Sequence, residues 1–234
     1  MRKLAHIVNP VLVGESSDLF YAQPITFATM KAARQAAAAT VEVELLTTQY
    51  PEDHPVLPEG FRATPDLERS VQDVARFGLK RKLPLLKDIL DRLYAATDAE
   101  YLAYANVDIA LMPYFYTAVS AWLDQGFDAL VINRRTISAT YTACEQIPLM
   151  YSELGRKHEG HDCFVFRREA YPSYALAEVC IGIPWVGRVL IWNLACHAAK
   201  FQELTDEHLT FHVGAGNEKT LLEPEYADYR AYNR

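Results

Sequence analysis

The sequence predicts an α/β protein with a mainly parallel central sheet and helices on both faces. Two observations carry this. Short apolar or β-branched runs alternate with Ala- and Leu-rich runs at helical spacing through residue 135, and Gly, Pro and Asn punctuate the boundaries. The composition, 50% hydrophobic and 23% charged over 234 residues, is that of a folded chain with a sizeable core. At about 150 residues per domain, one large domain over 1–234 is expected.

Leu4 to Val8 reads as a strand ending at Asn9-Pro10. Pro24 suits the first turn of a helix, and Ile25 to Ala39 carries Ala-rich helix formers. Val41 to Thr47 alternates and is β-branched, so it is a strand. Pro51 to Pro65, rich in proline, is a loop of about 15 residues, long enough to suggest function. Leu79, Leu83, Leu86, Leu90 and Leu93 fall on one helical face, with Pro84 in the first turn. Tyr101 to Tyr104 is a strand, Tyr114 to Gln125 a helix closed by Gly126, and Ala129 to Asn133 another strand. These four strands are expected to share one sheet. Beyond residue 135 the rhythm changes. Cys163 to Phe166 and Leu209 to Val213 read as strands, Ala175 to Cys180 and Val189 to Phe201 as helices. The tail from Glu218 spaces Tyr226, Tyr229 and Tyr232 among charges and reads as a segment docked by its tyrosines.

Several function classes are disfavoured at once. A formal charge of -7 is a poor match to duplex nucleic acid, which needs clustered Lys and Arg. No run approaches the roughly 20 apolar residues of a membrane span. Residues Val179 to Ala199 come nearest and are broken by Pro184, Arg188, Asn193 and His197. The basic start is followed by an apolar run interrupted at His6 and Asn9, too short for a signal peptide. Cys144, Cys163, Cys180 and Cys196 are scattered, so reduced buried thiols in a cytoplasmic protein are expected, with Cys196-His197 serving core packing. His158-Glu159-Gly160-His161-Asp162 matches no zinc spacing and reads as a polar loop entering a strand. Walker A, dinucleotide and serine-hydrolase motifs are absent.

In an open α/β sheet, ligands bind beyond the carboxyl ends of the strands. Asn9 and Pro10, Asn106 to Asp108, and His212 before Gly214-Ala215-Gly216-Asn217 all stand at such ends. Asp108 lies between apolar runs, so it is either capped by backbone N–H groups at a turn or a metal ligand. Its hard oxygens suit Mg²⁺ or Mn²⁺. His212 is either a satisfied core residue or a ligand kept at the strand end by the glycine turn. Arg134-Arg135 and Arg167-Arg168 follow strands; either pair can reach a diphosphate, and at least one residue of each pair is expected to be simply solvated. Trp185, between Pro184 and Gly187-Arg188, is either a sugar platform or a buried wedge.

Three segments resemble the GT-A-fold glycosyltransferases, family 2-like. Tyr101 to Leu111, through Asn106-Val107-Asp108, resembles their strand and D-x-D motif. Gly160 to Ala170, through Asp162 and Phe166-Arg167-Arg168-Glu169, resembles the strand that meets the acceptor. Leu209 to His212 is similar to their C-terminal metal-binding histidine segment. Two departures stand out: Asn106 replaces the first acid, and Glu178 is the one acid where an x-E-D motif is expected.

The resemblance implies transfer of a sugar from a nucleoside diphosphate to a small-molecule or glycan acceptor. Residues 1–135 would bind the nucleotide and 136–234 the acceptor. Asp108 and His212 would hold Mn²⁺ or Mg²⁺ against the leaving diphosphate. Asn9, Pro10, Asn106, Asp108, Arg134, Trp185 and Arg188 would contact the nucleotide sugar. An inverting enzyme needs a carboxylate to take the acceptor proton, with Asp162 as first candidate and Glu178 as second. A sugar-phosphate nucleotidyltransferase is the rival enzyme, but Val11 to Asp18 has one glycine and no Lys or Arg for the loop it needs. A non-catalytic carbohydrate- or nucleotide-binding protein is the other rival.

Overall fold

A computed structural model describes residues 1–214 and 223–234. Among them nine strands form one sheet. The order of elements is β1 Arg2–Val8, α1 Leu19–Ala36, β2 Val41–Thr47, β3 Arg62–Ala63, α2 Leu86–Ala96, β4 Tyr101–Ala105, β5 Ala110–Leu111 and α3 Phe115–Asp124. There follow β6 Ala129–Ile137, α4 Ile147–Ser152, β7 Arg156–Arg167, α5 Val186–His197, β8 Phe201–Leu204, β9 Thr210–Val213 and a C-terminal helix, Ala227–Tyr232. The spatial order is β3-β2-β1-β4-β7-β6-β9-β5, with β8 alongside β6. The four strands expected to share a sheet do so, but the antiparallel β7 stands between β4 and β6. β5 is antiparallel to β9, and the remaining pairs are parallel.

Alternation along each strand builds two apolar layers. Tyr101, Ala103 and Ala105 face a layer with Phe27, Met30 and Ala33 of α1 and Phe115 and Val119 of α3. Leu102 and Tyr104 face the opposite layer with Ile89 and Leu93 of α2 and Leu190 and Leu194 of α5. Helices therefore cover both faces, as a mainly parallel sheet requires.

Several sequence expectations are corrected. Helix α1 starts at Leu19, where Asp18 Oδ1 accepts from Leu19 N at 3.0 Å, so Pro24 lies inside the helix. There its ring forfeits one bond near the helix start. Helix α2 begins at Leu86, because Pro84 holds Leu83 out of the helical region. Leu79 and Leu83 pack instead against Tyr226, Tyr229 and Tyr232. Ala175 to Cys180 is not helical. Its backbone is satisfied by side-chain amides: Asn193 bonds Ala175 N and O, and Asn233 bonds Cys180 N and O. The later helix runs over Val186–His197, and Phe201–Leu204 leaves it for the sheet. A four-residue apolar run does not tell strand from helix by periodicity. His158 to Asp162 belongs to strand β7, since the long hairpin partner β6 supplies the ladder. Cys196 and His197 are exposed rather than core, and Cys144 is half-buried.

The docked tail is present from residue 223 on. Phe77 stacks on Tyr229 with ring centroids 4.0 Å apart, and Tyr229 Oη donates to Leu79 O at 2.7 Å. Residues 218–222 lie outside the described residues, as do 215–217 of the glycine turn. Among the described residues no helix is long and apolar enough to cross a membrane.

Candidate active site

The carboxyl ends of β1 and β4 open on the same edge of the sheet, because both strands are parallel neighbours. Asn9 is buried there, and its Nδ2 donates to Thr48 O at 2.7 Å, tying the end of β1 to the end of β2. Pro10 is buried beside it. The following loop is fixed by two side chains that sequence reading did not single out. Gln23 Oε1 accepts from Val11 N at 2.8 Å, and Asp53 Oδ1 accepts from Leu12 N at 2.8 Å.

Asp108 and His212, 104 positions apart in sequence, meet: His212 Nε2 is 3.1 Å from Asp108 Oδ2. The other ring nitrogen, Nδ1, donates to Gly214 O at 2.8 Å. With Nδ1 protonated, Nε2 faces the carboxylate either as an N–H donor or as a lone pair shared with a cation. Asp108 keeps 27% of its side chain exposed, yet its Oδ1 is buried and has no hydrogen-bond partner among the described residues.

An orphaned carboxylate oxygen beside an imidazole nitrogen fits a hard divalent ion whose other ligands are water and phosphate. Among the described residues no group of three or more His, Cys, Asp and Glu could hold a metal, and these two are the candidate ligands among those residues.

Burial disfavours charge on His212, but the hydrogen bond and charge of Asp108 outweigh it, and the imidazole pKa lies above its usual 6.5. Burial also opposes the Asp108 carboxylate, but the His212 hydrogen bond and charge, with the charge of Arg134, hold its pKa below 3.8. The sign of the linkage follows. Without metal, His212 contributes stability in full below pH 6.5 and loses it as pH rises through its raised value. Asp108 contributes above 3.8 and loses its share as pH falls through its lowered value. Urea unfolding from pH 5 to 9 is expected to show wild type losing, toward alkaline pH, its advantage over His212→Gln. A gap independent of pH would refute the ion pair.

Strand β7 bulges where it passes this site. Ile132 pairs with Cys163 and Asn133 with His161, so Asp162 is the extra residue, and a second shift follows between Asn133 and Arg135. Bulges re-aim side chains. Here Asp162 meets Arg134, with Nη1 2.8 Å from Oδ2 and both side chains only 9% exposed. Asp162 Oδ1 accepts from Asn106 Nδ2 at 3.3 Å, and Asn106 Oδ1 accepts from Tyr104 Oη at 3.0 Å. An aspartate at 106 would set two carboxylates against each other, so the amide is the residue this geometry needs.

The remaining sequence candidates are more dispersed. Glu178 sits in a turn, 3.0 Å from Arg69 Nη1, and Arg69 also pairs with Asp88. Trp185 caps α5 in the left-handed region (φ 82°), and the Arg188 guanidinium lies 3.8 Å from its ring centroid. Their helix start borders a narrow crevice that also reaches Asn106 and His161. Arg135 bonds backbone at Leu154 and Gly155, Arg167 pairs with Glu100 and Glu169, and Arg168 stacks on Tyr94.

No family model matches the chain, and no curated protein matches it in sequence. Solved structures do match in shape. Residues 1–349 of S. aureus TarS in complex with UDP-GlcNAc superpose with a TM-score of 0.54 at 10% identity, covering 94% of this chain and 61% of that one. The UDP complex of the same protein gives 0.54 at 9% identity, covering 90% and 60%. The fold is that of the GT-A nucleotide-sugar transferases. The chain spans about 60% of the length of those TarS structures. Glucosyl-3-phosphoglycerate synthase from M. tuberculosis, solved with Mn²⁺ and UDP, gives a TM-score of 0.45 at 14% identity, covering 91% of this chain and 71% of that one.

Proposed function

We propose that the protein transfers a sugar from a nucleoside diphosphate to an acceptor with the help of Mn²⁺ or Mg²⁺. The observation that carries this is the Asp108–His212 pair, whose carboxylate keeps one oxygen without a hydrogen-bond partner among the described residues, at the ligand-binding edge of a GT-A sheet. A divalent ion there supplies charge neutralisation for the departing diphosphate. Arg134, close enough for its charge to act on both Asp108 and His212, adds positive potential on the same side. Asn9 and Pro10 form the floor for the nucleotide base. Trp185 and Arg188, stacked on each other at the start of α5, contact the nucleotide sugar. Asp162, with both oxygens engaged, acts as an anchor that fixes Asn106 and Arg134 rather than as a free base. Glu178 is held by Arg69 in the same manner.

A nucleotide-binding protein without turnover is the second reading, because both carboxylates proposed as bases are tied up in ion pairs. Thermal unfolding with UDP, GDP and CDP, each with and without Mn²⁺, tests the shared part. A diphosphate at about 100 times its Kd adds about 2.7 kcal/mol, which raises Tm by roughly 5–10 °C for a chain of this size. The expected result is a rise with one nucleotide that grows when Mn²⁺ is added. No rise with any of the three would end both readings. Release of the nucleoside diphosphate from its sugar donor separates them.

A further inference from the structure

We propose that His161, oriented by Glu203, is the general base that takes the acceptor proton; this rests on the transferase reading above. His161 Nε2 lies 3.0 Å from Glu203 Oε1. The carboxylate only accepts, so Nε2 carries a proton, and in the neutral ring Nδ1 then holds the lone pair. Nδ1 makes no hydrogen bond to the described residues, and the His161 side chain is 25% exposed. An oriented imidazole with one free lone pair and a carboxylate behind it is the arrangement of an activated base.

Three elements fix the ring in place. Strand β7 sets His161 opposite Asn133, beside the bulge at Asp162. Strand β8 brings Glu203, since Val131 of β6 pairs with Glu203 in parallel register. Helix α5 packs its first turn directly on His161. A Cβ at Gly187 would lie 2.8 Å from His161 O and 3.2 Å from His161 Cβ, so glycine is required there. The crevice between them is lined by Tyr104, Asn106, His161, Phe164 and Gly187. Asn106, which lines the same crevice as His161, is two residues from Asp108 in the chain.

The charged surroundings leave Glu203 as its partner. Strand β6 brings Arg134, which is paired with Asp162. Helix α5 brings Arg188, stacked on Trp185. Strand β4 brings the neutral Asn106, and α2 brings Leu86.

The step balances without further reactants. The acceptor O–H gives its proton to Nδ1, its oxygen pair forms a bond to the anomeric carbon, and the bond from that carbon to the diphosphate oxygen breaks. The electron pair leaves with the diphosphate, and Glu203 faces the imidazolium formed. The proton then passes to solvent.

Ring ¹⁵N NMR tests the geometry without turnover, with His161→Gln used to assign the signal. The expected neutral form carries its proton on Nε2, and Glu203→Gln erodes that preference. A neutral ring protonated on Nδ1 overturns the proposal. UDP-GlcNAc with water as acceptor tests the chemistry by UDP release. His161→Gln is expected to lower kcat about 10²–10⁴-fold with UDP binding unchanged. Glu203→Gln lowers kcat less. Unchanged kcat in His161→Gln overturns the base and leaves the transferase reading standing. Wild-type protein that binds none of UDP, GDP and CDP removes the transferase reading, and the base with it.

Discussion

In titration calorimetry, Asp108→Ala is expected to lose the Mn²⁺-dependent part of nucleoside diphosphate binding. Asp108 supplies the one carboxylate of the pair, and its buried Oδ1 has no hydrogen-bond partner among the described residues. A two-residue site that loses its carboxylate keeps a single imidazole, which cannot fix a hard ion beside a phosphate. The fold is expected to survive, since the side chain lies at a strand end and is partly exposed. His212→Ala should weaken the same binding less. Its ring is the softer ligand, and the carboxylate remains. Affinity for UDP with Mn²⁺ that is unchanged in Asp108→Ala would remove the metal from this site.

The second large effect falls on stability. Arg134→Met is expected to destabilise the protein by about 3–5 kcal/mol, because it leaves the buried Asp162 carboxylate with only the Asn106 amide and the His158 ring, 3.9 Å away, beside it. For a chain of this size that is a fall in Tm of roughly 6–20 °C. Arg134→Met combined with Asp162→Leu should recover much of the loss. Removing both ions also removes the desolvation each one costs. Unfolding by urea on the wild type, both single variants and the double variant yields the coupling directly. A double variant as unstable as the sum of the singles would mean that the pair does not act as a unit.

The strands that face the two apolar layers could be read from the chain with little error. β2 has the bounds its alternating, β-branched run predicts, and β4 differs by one residue. These segments carry their burial pattern in their own composition. The errors cluster where another segment satisfies the backbone. Ala175 to Cys180 has helical residues but gives its N–H and C=O groups to the amides of Asn193 and Asn233, each supplied from elsewhere in the chain. The polar run His158 to Asp162 carries no strand pattern. It is a strand because β6 lies beside it, and its bulges keep its side chains out of simple alternation.

The site divides in the same way. Asp108 and His212 could be picked out because a carboxylate and an imidazole at apolar strand ends need a partner. That each is the other's partner is a consequence of β9 lying one strand from β7, and of β5 turning back against it. Asn106 looks like a lost acid in the sequence. The fold places the Asp162 carboxylate 3.3 Å away, which makes the amide the fitting residue. His161 could be seen as a histidine in a polar segment, but Glu203 lies 42 positions away, and nothing near it in sequence marks it as a partner. The sequence by itself determined the fold class, the two-layer core and the strand ends where chemistry collects, because those follow from local periodicity and burial. The pairings Asp108–His212, Arg134–Asp162 and His161–Glu203 were decided only by tertiary structure, because strand order and bulges set which charges meet, and neither is encoded in the local pattern of any one strand.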